Sequence, residues 1–323
     1  MIITRTPFRI SFAGGGTDLA AFYRREPGAV VSTAIKKYMY ITVNRRFEST
    51  IRVSYSRTEI VGSVDEIQHP VVRAALGLTG ITGGIEIISI ADIPAGTGLG
   101  SSSSFTVGLL NALYAYKGTL KSAEELAQQA CQIEIDILGE PIGKQDQYIA
   151  AYGGLCYIQF NPNDSVFVSP IICDKTCKET LEQNLMLLYI GESRQAKAIL
   201  AKRSANTRQV DKFRSLQKMR DLAQETRLGF LDGSDPKELG RLLHEGWLLK
   251  KELVEGITNS AIDSYYEKAL SAGAYGVKVS GAGGGGFLLL VAPPEKRQAV
   301  RQALSNLQEM DFAFEAEGSK IIS

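Results

Sequence analysis

Pro94-Ala95-Gly96-Thr97-Gly98-Leu99-Gly100-Ser101-Ser102-Ser103-Ser104 lies between a β-branched run at 85–90 and an apolar helical pattern carried by Phe105, Leu109, Leu110 and Leu113. The pattern predicts strand, loop and helix, the helix starting at Ser101. Glycine lets backbone N–H groups converge on an anion without a Cβ in the way. A helix start adds unpaired N–H groups and partial positive charge, which suits a polyphosphate. Serine hydroxyls suit phosphate oxygens or a magnesium ion. A flexible turn with a serine N-cap is the plainer reading, but it would not need so many glycines and serines. No lysine follows a G-x-x-x-x-G spacing, so this is not a Walker A loop. Gly96, Gly98 and Gly100 do not match the dinucleotide fingerprint. The GxGxxG string at 281–286 runs into a strand pattern, not a helix, and fails that reading too.

Two further glycine clusters flank the loop. Upstream, Thr6-Pro7-Phe8-Arg9-Ile10-Ser11-Phe12-Ala13-Gly14-Gly15-Gly16-Thr17-Asp18-Leu19 reads as a strand running into a glycine turn that ends in a hydroxyl and a carboxylate. Thr17 and Asp18 suit hydrogen bonds to sugar hydroxyls, and Gly15 and Gly16 let a ring approach the backbone. Asp18 reads equally well as the cap of a helix from Leu19. Downstream, Lys278-Val279-Ser280-Gly281-Ala282-Gly283-Gly284-Gly285-Gly286 separates strand patterns at 275–279 and 287–291. So much glycine implies a backbone packed tightly against another loop or a ligand.

Elsewhere, β-rich patterns cover 2–11, 29–31, 38–47 and 50–55, with strands expected at 155–160, 166–172 and 185–190. Ser122 and Glu125 form a capping box that opens a helix running to Leu138, before Gly139. Helices are expected at 143–152, 206–228, 236–254, 260–272 and 295–307, and a last strand near 312–315. The turn Asn161-Pro162-Asn163-Asp164 marks a boundary between halves 1–165 and 166–323. Strands mixed with helices outside strict βαβ alternation predict an α+β fold.

The three glycine-rich segments, in this order, resemble the three motifs of the GHMP kinase superfamily over nearly the whole chain. The form of the first segment, with His69-Pro70-Val71-Val72 and the Gly-x-x-Arg at 191–194, is similar to the D-glycero-D-manno-heptose 7-phosphate kinases. The resemblance implies an N-terminal ATP-binding domain of ribosomal protein S5 domain 2-like fold and a C-terminal ferredoxin-like domain. It implies that Pro94, Gly96, Thr97, Gly98, Leu99, Gly100, Ser101, Ser102 and Ser103 bind the ATP phosphates, with Mg2+ on Ser102 and Glu134. Asp146, within Gly143-Lys144-Gln145-Asp146-Gln147, would act on the substrate hydroxyl, and Arg9 would stabilise the charged hydroxyl and phosphate. Without the family, Asp146 reads as a capping or ion-paired carboxylate and Glu134 as a surface carboxylate. One more residue separates Glu134 from Asp146 than in mevalonate kinase-like members. Asp18 falls at a sugar-binding aspartate, and Gly15-Gly16 replace the Glu-His of galactokinase-like members, implying a roomier pocket. Gly15, Gly16, Thr17, Asp18, Arg194, Gly283 and Gly284 are the candidate substrate contacts. A sugar phosphate also needs a cationic seat, for which Arg194, Lys36 and Lys37 are candidates. The implied reaction phosphorylates the anomeric (C1) hydroxyl of heptose 7-phosphate to the 1,7-bisphosphate, for nucleotide-activated heptose. A fucokinase-like or other sugar 1-kinase and a non-catalytic nucleotide-binding regulatory module are the alternatives.

Composition narrows the rest. A length of 323 residues favours two domains, and 44% hydrophobic with 22% charged residues is ordinary for a globular protein. A formal net charge of +1 gives no field that steers the chain to nucleic acid or a membrane surface. No apolar run approaches the roughly 20 residues of a membrane span, and Met1-Ile2-Ile3-Thr4-Arg5 lacks signal-peptide character, so the cytoplasm is expected. Cys131, Cys156, Cys173 and Cys177 form no CxxC pair and read as free thiols. With only His69 and His244, and no G-x-S-x-G, a Ser-His-Asp hydrolase has little support. The expected partners are a small sugar phosphate and ATP; both monomer and homodimer stay open.

Overall fold

β-Branched and aromatic residues dominate the first stretch of chain, and they pair at once. In the computed structural model, which describes residues 1–191, 196–207, 209–233 and 235–323, β1 (Ile2–Ala13) runs antiparallel to β2 (Gly28–Arg45), with α1 (Ala20–Tyr23) in the connection. β2 is one strand of 18 residues where two were expected. Lys36 and Lys37 bulge out between the pairs Pro7–Tyr38 and Phe8–Ile35, so the strand bends without breaking. Next come β3 (Ile51–Ser54), β4 (Thr58–Val61), α2 (Pro70–Thr79) and β5 (Ile85–Ala91). α2 was not expected; Pro70 opens it, Gly80 closes it at φ 69°, and Val72, Ala75 and Leu76 are its buried face.

α3 (Ser101–Tyr116) follows the glycine-serine loop and packs on β1 and β2. Val107, Leu109, Leu110 and Leu113 are fully buried, each worth roughly 1.5–3 kcal/mol of transfer energy. α4 (Ala123–Cys131) starts at the Ser122 capping box, but its end differs from expectation: it passes into a π-helical turn, Gln132–Ile137. α5 (Gln145–Tyr152), β6 (Leu155–Phe160) and β7 (Val166–Pro170) complete this half. β6 pairs with both β2 and β7, so the hairpin spans the expected boundary at 165/166 and the first sheet runs on to Pro170.

The second half begins with α6 (Lys175–Asn184), also unexpected, then β8 (Leu185–Gly191), α7 (Ala196–Asn206), α8 (Val210–Leu231), α9 (Pro236–Leu253) and α10 (Ser260–Ser271). β9 (Gly276–Val279), β10 (Gly286–Val291), α11 (Pro294–Ala303) and β11 (Gln308–Glu309) close it. The antiparallel order β11-β8-β10-β9 is that of a split βαβ, ferredoxin-like sheet. Trp247, Leu288 and Leu290 centre its core.

The stretch 312–315 makes only an isolated bridge, Ile35 to Phe314, instead of the expected strand. Phe314 serves packing: with Phe230 it meets Phe12 edge-on, at centroid distances of 6.3 and 5.3 Å. The chain then adds β12 (Lys320–Ile321) to the edge of β1, giving the first sheet eight strands. Both ends of β1 are thereby fixed, and Arg9 and the turn at 14–16 stand on a rigid base.

Candidate active site

The loop between β5 and α3 is shaped by its glycines. Gly96, Gly98 and Gly100 hold φ at 77°, 78° and 78°, a region that side chains avoid. Leu99 is fully buried, and its carbonyl accepts from the Arg9 backbone N–H at 3.0 Å, fastening the loop to β1. Thr97 is fully buried too, its hydroxyl donating to the Pro94 carbonyl at 3.1 Å. Gly100 is the N-cap of α3, and no side chain caps that helix start. Its first N–H groups and the positive end of its dipole are therefore left for an anion. Gly96, Gly98, Gly100 and Ser101 to Ser103 line a cavity of about 700 Å³, while Pro94, Thr97 and Leu99 stand behind it and fold the loop.

The second half supplies the facing wall. A Cβ on Gly98 would stand 2.7 Å from the Ser280 carbonyl oxygen, and one on Gly281 would stand 2.4 Å from the Gly98 Cα. Backbone meets backbone here, which is the close packing expected of the C-terminal glycine cluster. Gly283 lines the cavity; Gly284 instead donates its N–H to the Ile257 carbonyl at 2.8 Å.

On the cavity floor, Arg9 and Asp146 form a bidentate pair. Arg9 Nε and Nη2 each reach an Asp146 oxygen at 2.8 Å, and Nη1 reaches the Gly98 carbonyl at 2.6 Å. The Arg9 side chain is 5% exposed and that of Asp146 27%, so the guanidinium is the buried anchor and the carboxylate faces the cleft. Gln145, which sequence reasoning passed over, steadies the pair. Its Nε2 donates to Asp146 at 3.1 Å, and its Oε1 accepts from Ser11 and Ser32 at 2.7 and 3.0 Å.

Asp18 also lines the cavity but spends its oxygens on the backbone, accepting from Gly16 N–H at 2.8 Å and Gln145 N–H at 3.3 Å. It ties the glycine turn at 14–16 to the start of α5 rather than capping a helix from Leu19, whose start has no side-chain cap. Gly143 must be glycine, since its Cβ would lie 2.0 Å from Asp18 Oδ2. Gly15 and Gly16 line the cavity; Thr17 is fully buried and bonds to the Gly14 carbonyl and the Ala29 N–H. Lys36 and Lys37 do not line the cavity, and Arg194 lies outside the described residues.

Glu134 is 1% exposed, not a surface carboxylate. Ser102 and Ser103 hydroxyls donate to it at 2.7 and 2.8 Å, and Gln147 Nε2 at 2.7 Å. Burial pushes its carboxyl pKa up, and these hydrogen bonds offset part of the rise. The π turn sets its position: Leu138 N–H bonds back five residues to the Ile133 carbonyl at 3.0 Å, a register that takes up one extra residue. No cation pairs with Glu134 among the described residues. A buried carboxylate beside two serine hydroxyls is an oxygen-donor set that fits a magnesium ion. Lys278 and Ser280 line the cavity as well. Sequence reasoning quoted both without assigning either, although strand alternation alone sets them on one face.

An uncapped helix start faces a guanidinium-held carboxylate across one cleft, an arrangement whose charges suit phosphoryl transfer. Residues 67–154 match the GHMP kinases N terminal domain, and residues 219–309 match the GHMP kinases C terminal domain. The D-glycero-alpha-D-manno-heptose 7-phosphate kinase of Campylobacter jejuni is 30% identical over 335 residues, covering 99% of this chain and 98% of the relative. The bifunctional fucokinase/GDP-fucose pyrophosphorylase of Arabidopsis thaliana is 27% identical over 94% of this chain and 31% of its own length. A solved structure of a D-glycero-D-manno-heptose 1-phosphate kinase from Bacteroides thetaiotaomicron superposes with a TM-score of 0.82 at 26% identity, covering 100% of this chain and 99% of the other. The chain belongs to the GHMP kinases, and it is an ATP-dependent phosphotransferase with an alcohol acceptor. No helix among the described residues is long and apolar enough to cross a membrane.

Proposed function

We propose that this kinase transfers the γ-phosphoryl group of ATP to the anomeric (C1) hydroxyl of D-glycero-D-manno-heptose 7-phosphate, giving the 1,7-bisphosphate used for nucleotide-activated heptose. The observation that carries this reading is the end-to-end similarity to the Campylobacter jejuni heptose 7-phosphate kinase. The glycine turn at 14–16 supports it, because a wall of backbone leaves room for a seven-carbon sugar.

In this reading the loop N–H groups and the start of α3 bind the triphosphate. Ser102 and Glu134 would hold Mg2+, which would supply positive charge to the phosphate oxygens. Asp146 accepts the hydrogen bond of the attacking hydroxyl and takes or orients its proton, while Arg9 favours the alkoxide. The sugar oxygen bonds to the γ-phosphorus, the bridge to ADP breaks, and the bond pair leaves on the β-phosphate. Asp18 fixes the turn over which the sugar lies. ATP supply makes the cytoplasm the expected compartment.

The fucokinase relative keeps a second sugar 1-kinase reading in view. Incubation with MgATP and heptose 7-phosphate, followed by mass analysis and phosphorus NMR, decides between them. The expected product carries two phosphates, one coupled to the anomeric proton. Equal turnover of unphosphorylated sugars such as fucose would defeat the heptose phosphate assignment.

A further inference from the structure

Lys278 and Ser280 stand two residues apart where β9 enters the glycine cluster, so both side chains leave the strand on one side, and both line the cavity. The Lys278 ammonium donates to the carbonyls of Ser11 and Phe12, each at 2.9 Å, just ahead of the acceptor turn. An ammonium has three donors, so one remains. Among the described residues no carboxylate acts on it. Burial, with the nearby Arg9 cation, pushes its pKa down to about 7. Ser280 is 3% exposed, and its hydroxyl is buried without a hydrogen-bond partner. Such a group beside a cavity needs an explanation, and a ligand supplies one. The backbone of Ser280 also abuts Gly98 of the phosphate loop. One end of this pair thus touches the donor loop and the other the acceptor turn.

We propose that Lys278 and Ser280 form a seat for phosphoryl oxygen on the C-terminal wall, where donor and acceptor meet. The position favours the γ-phosphoryl group in transit; a phosphate carried by the acceptor is the other source of the same chemistry. Lys278 donates a hydrogen bond to the phosphoryl oxygens, whose negative charge holds its proton in place against the effect of burial, while the hydroxyl proton goes to Asp146. The inference rests on phosphoryl transfer to an alcohol and does not depend on which sugar is used.

The test uses the full chain with Lys278→Gln, Lys278→Arg and Ser280→Ala. It records kcat, both KM values, thermal melts and acceptor binding by calorimetry, on whichever sugar the wild type phosphorylates best. Lys278→Gln is expected to lower kcat about 100-fold and Ser280→Ala about tenfold, with Lys278→Arg recovering part of the loss. Ser280→Ala should melt at or above the wild type, because an unbonded hydroxyl contributes nothing to the fold. Unchanged acceptor affinity identifies the phosphoryl group in transit; affinity weakened about tenfold identifies the acceptor's own phosphate. Either result supports the seat. Wild-type kcat and KM in Lys278→Gln and Ser280→Ala would overturn it, as would losses that only track the folded fraction. The wild-type acceptor profile alone judges the heptose phosphate reading, so the two can fail separately.

Discussion

Asp146→Asn is expected to lower kcat by about a thousandfold, the range lost when a positioned general base is removed. The KM for ATP should stay within about threefold, because the donor loop is held by Leu99 and Gly98 and not by Asp146. An asparagine keeps one acceptor oxygen but turns an amide toward Arg9, where two oxygens now accept from Nε and Nη2. The guanidinium, 5% exposed, loses its anion. Breaking a buried pair costs about 3–5 kcal/mol, and the 27% exposure of Asp146 brings the figure down to roughly 2–3 kcal/mol. Kinetics should therefore be read well below the melting temperature, with circular dichroism confirming the fold. A variant that still turns over at a tenth of the wild-type rate would contradict the role given to this carboxylate.

Glu134→Gln should separate stability from activity. We expect kcat to fall several-hundredfold with MgATP, since the buried charge that suits a dication is gone. The metal-free variant should nevertheless melt a few degrees above the wild type. The substituted side chain keeps one oxygen to accept from Ser102, while its amide takes the place of the oxygen facing Ser103 and Gln147. That amide can donate to the Ser103 hydroxyl and, once Gln147 turns over, to the Gln147 Oε1, which now lacks a partner. The pH dependence has a definite sign. The folded pKa of Glu134 lies above its unfolded value, so between the two the folded protein holds a proton that the unfolded chain has released. Wild-type stability in chelator must then fall as pH rises through that window and stay lowered above it. Melts of the glutamine variant should lack this fall. Full activity in Glu134→Gln would remove Glu134 from the proposed metal site.

Local chemistry explains which parts of this molecule could be read from its sequence. The loop into α3 was legible because its glycines and serines stand directly before an apolar helical pattern, and the capping box at Ser122 was legible because both partners lie within one turn. Pairing partners were not. The turn at 161–164 has the same residues whether it links domains or closes a hairpin, and only the β6–β7 ladder shows the second. β12 spans two residues, too few for an alternating pattern, and owes its existence to the edge of β1. At the site, Arg9 and Asp146 were singled out separately, but their bidentate pairing joins residues 137 positions apart. Glu134 is buried by a π turn, a change of register that no side-chain pattern announces. Lys278, quoted but not assigned from the sequence, is placed by the two β1 carbonyls that hold its ammonium.

In the proposed reaction the loop at 96–103 and the Asp146 carboxylate serve one phosphoryl transfer. A crystal structure with Mg2+, a non-hydrolysable ATP analogue and the sugar phosphate tests it most directly. It should show the triphosphate against the 96–103 loop and an acceptor hydroxyl about 3 Å from an Asp146 oxygen. A triphosphate bound away from that loop, or an acceptor hydroxyl more than about two hydrogen-bond lengths from Asp146, would contradict it.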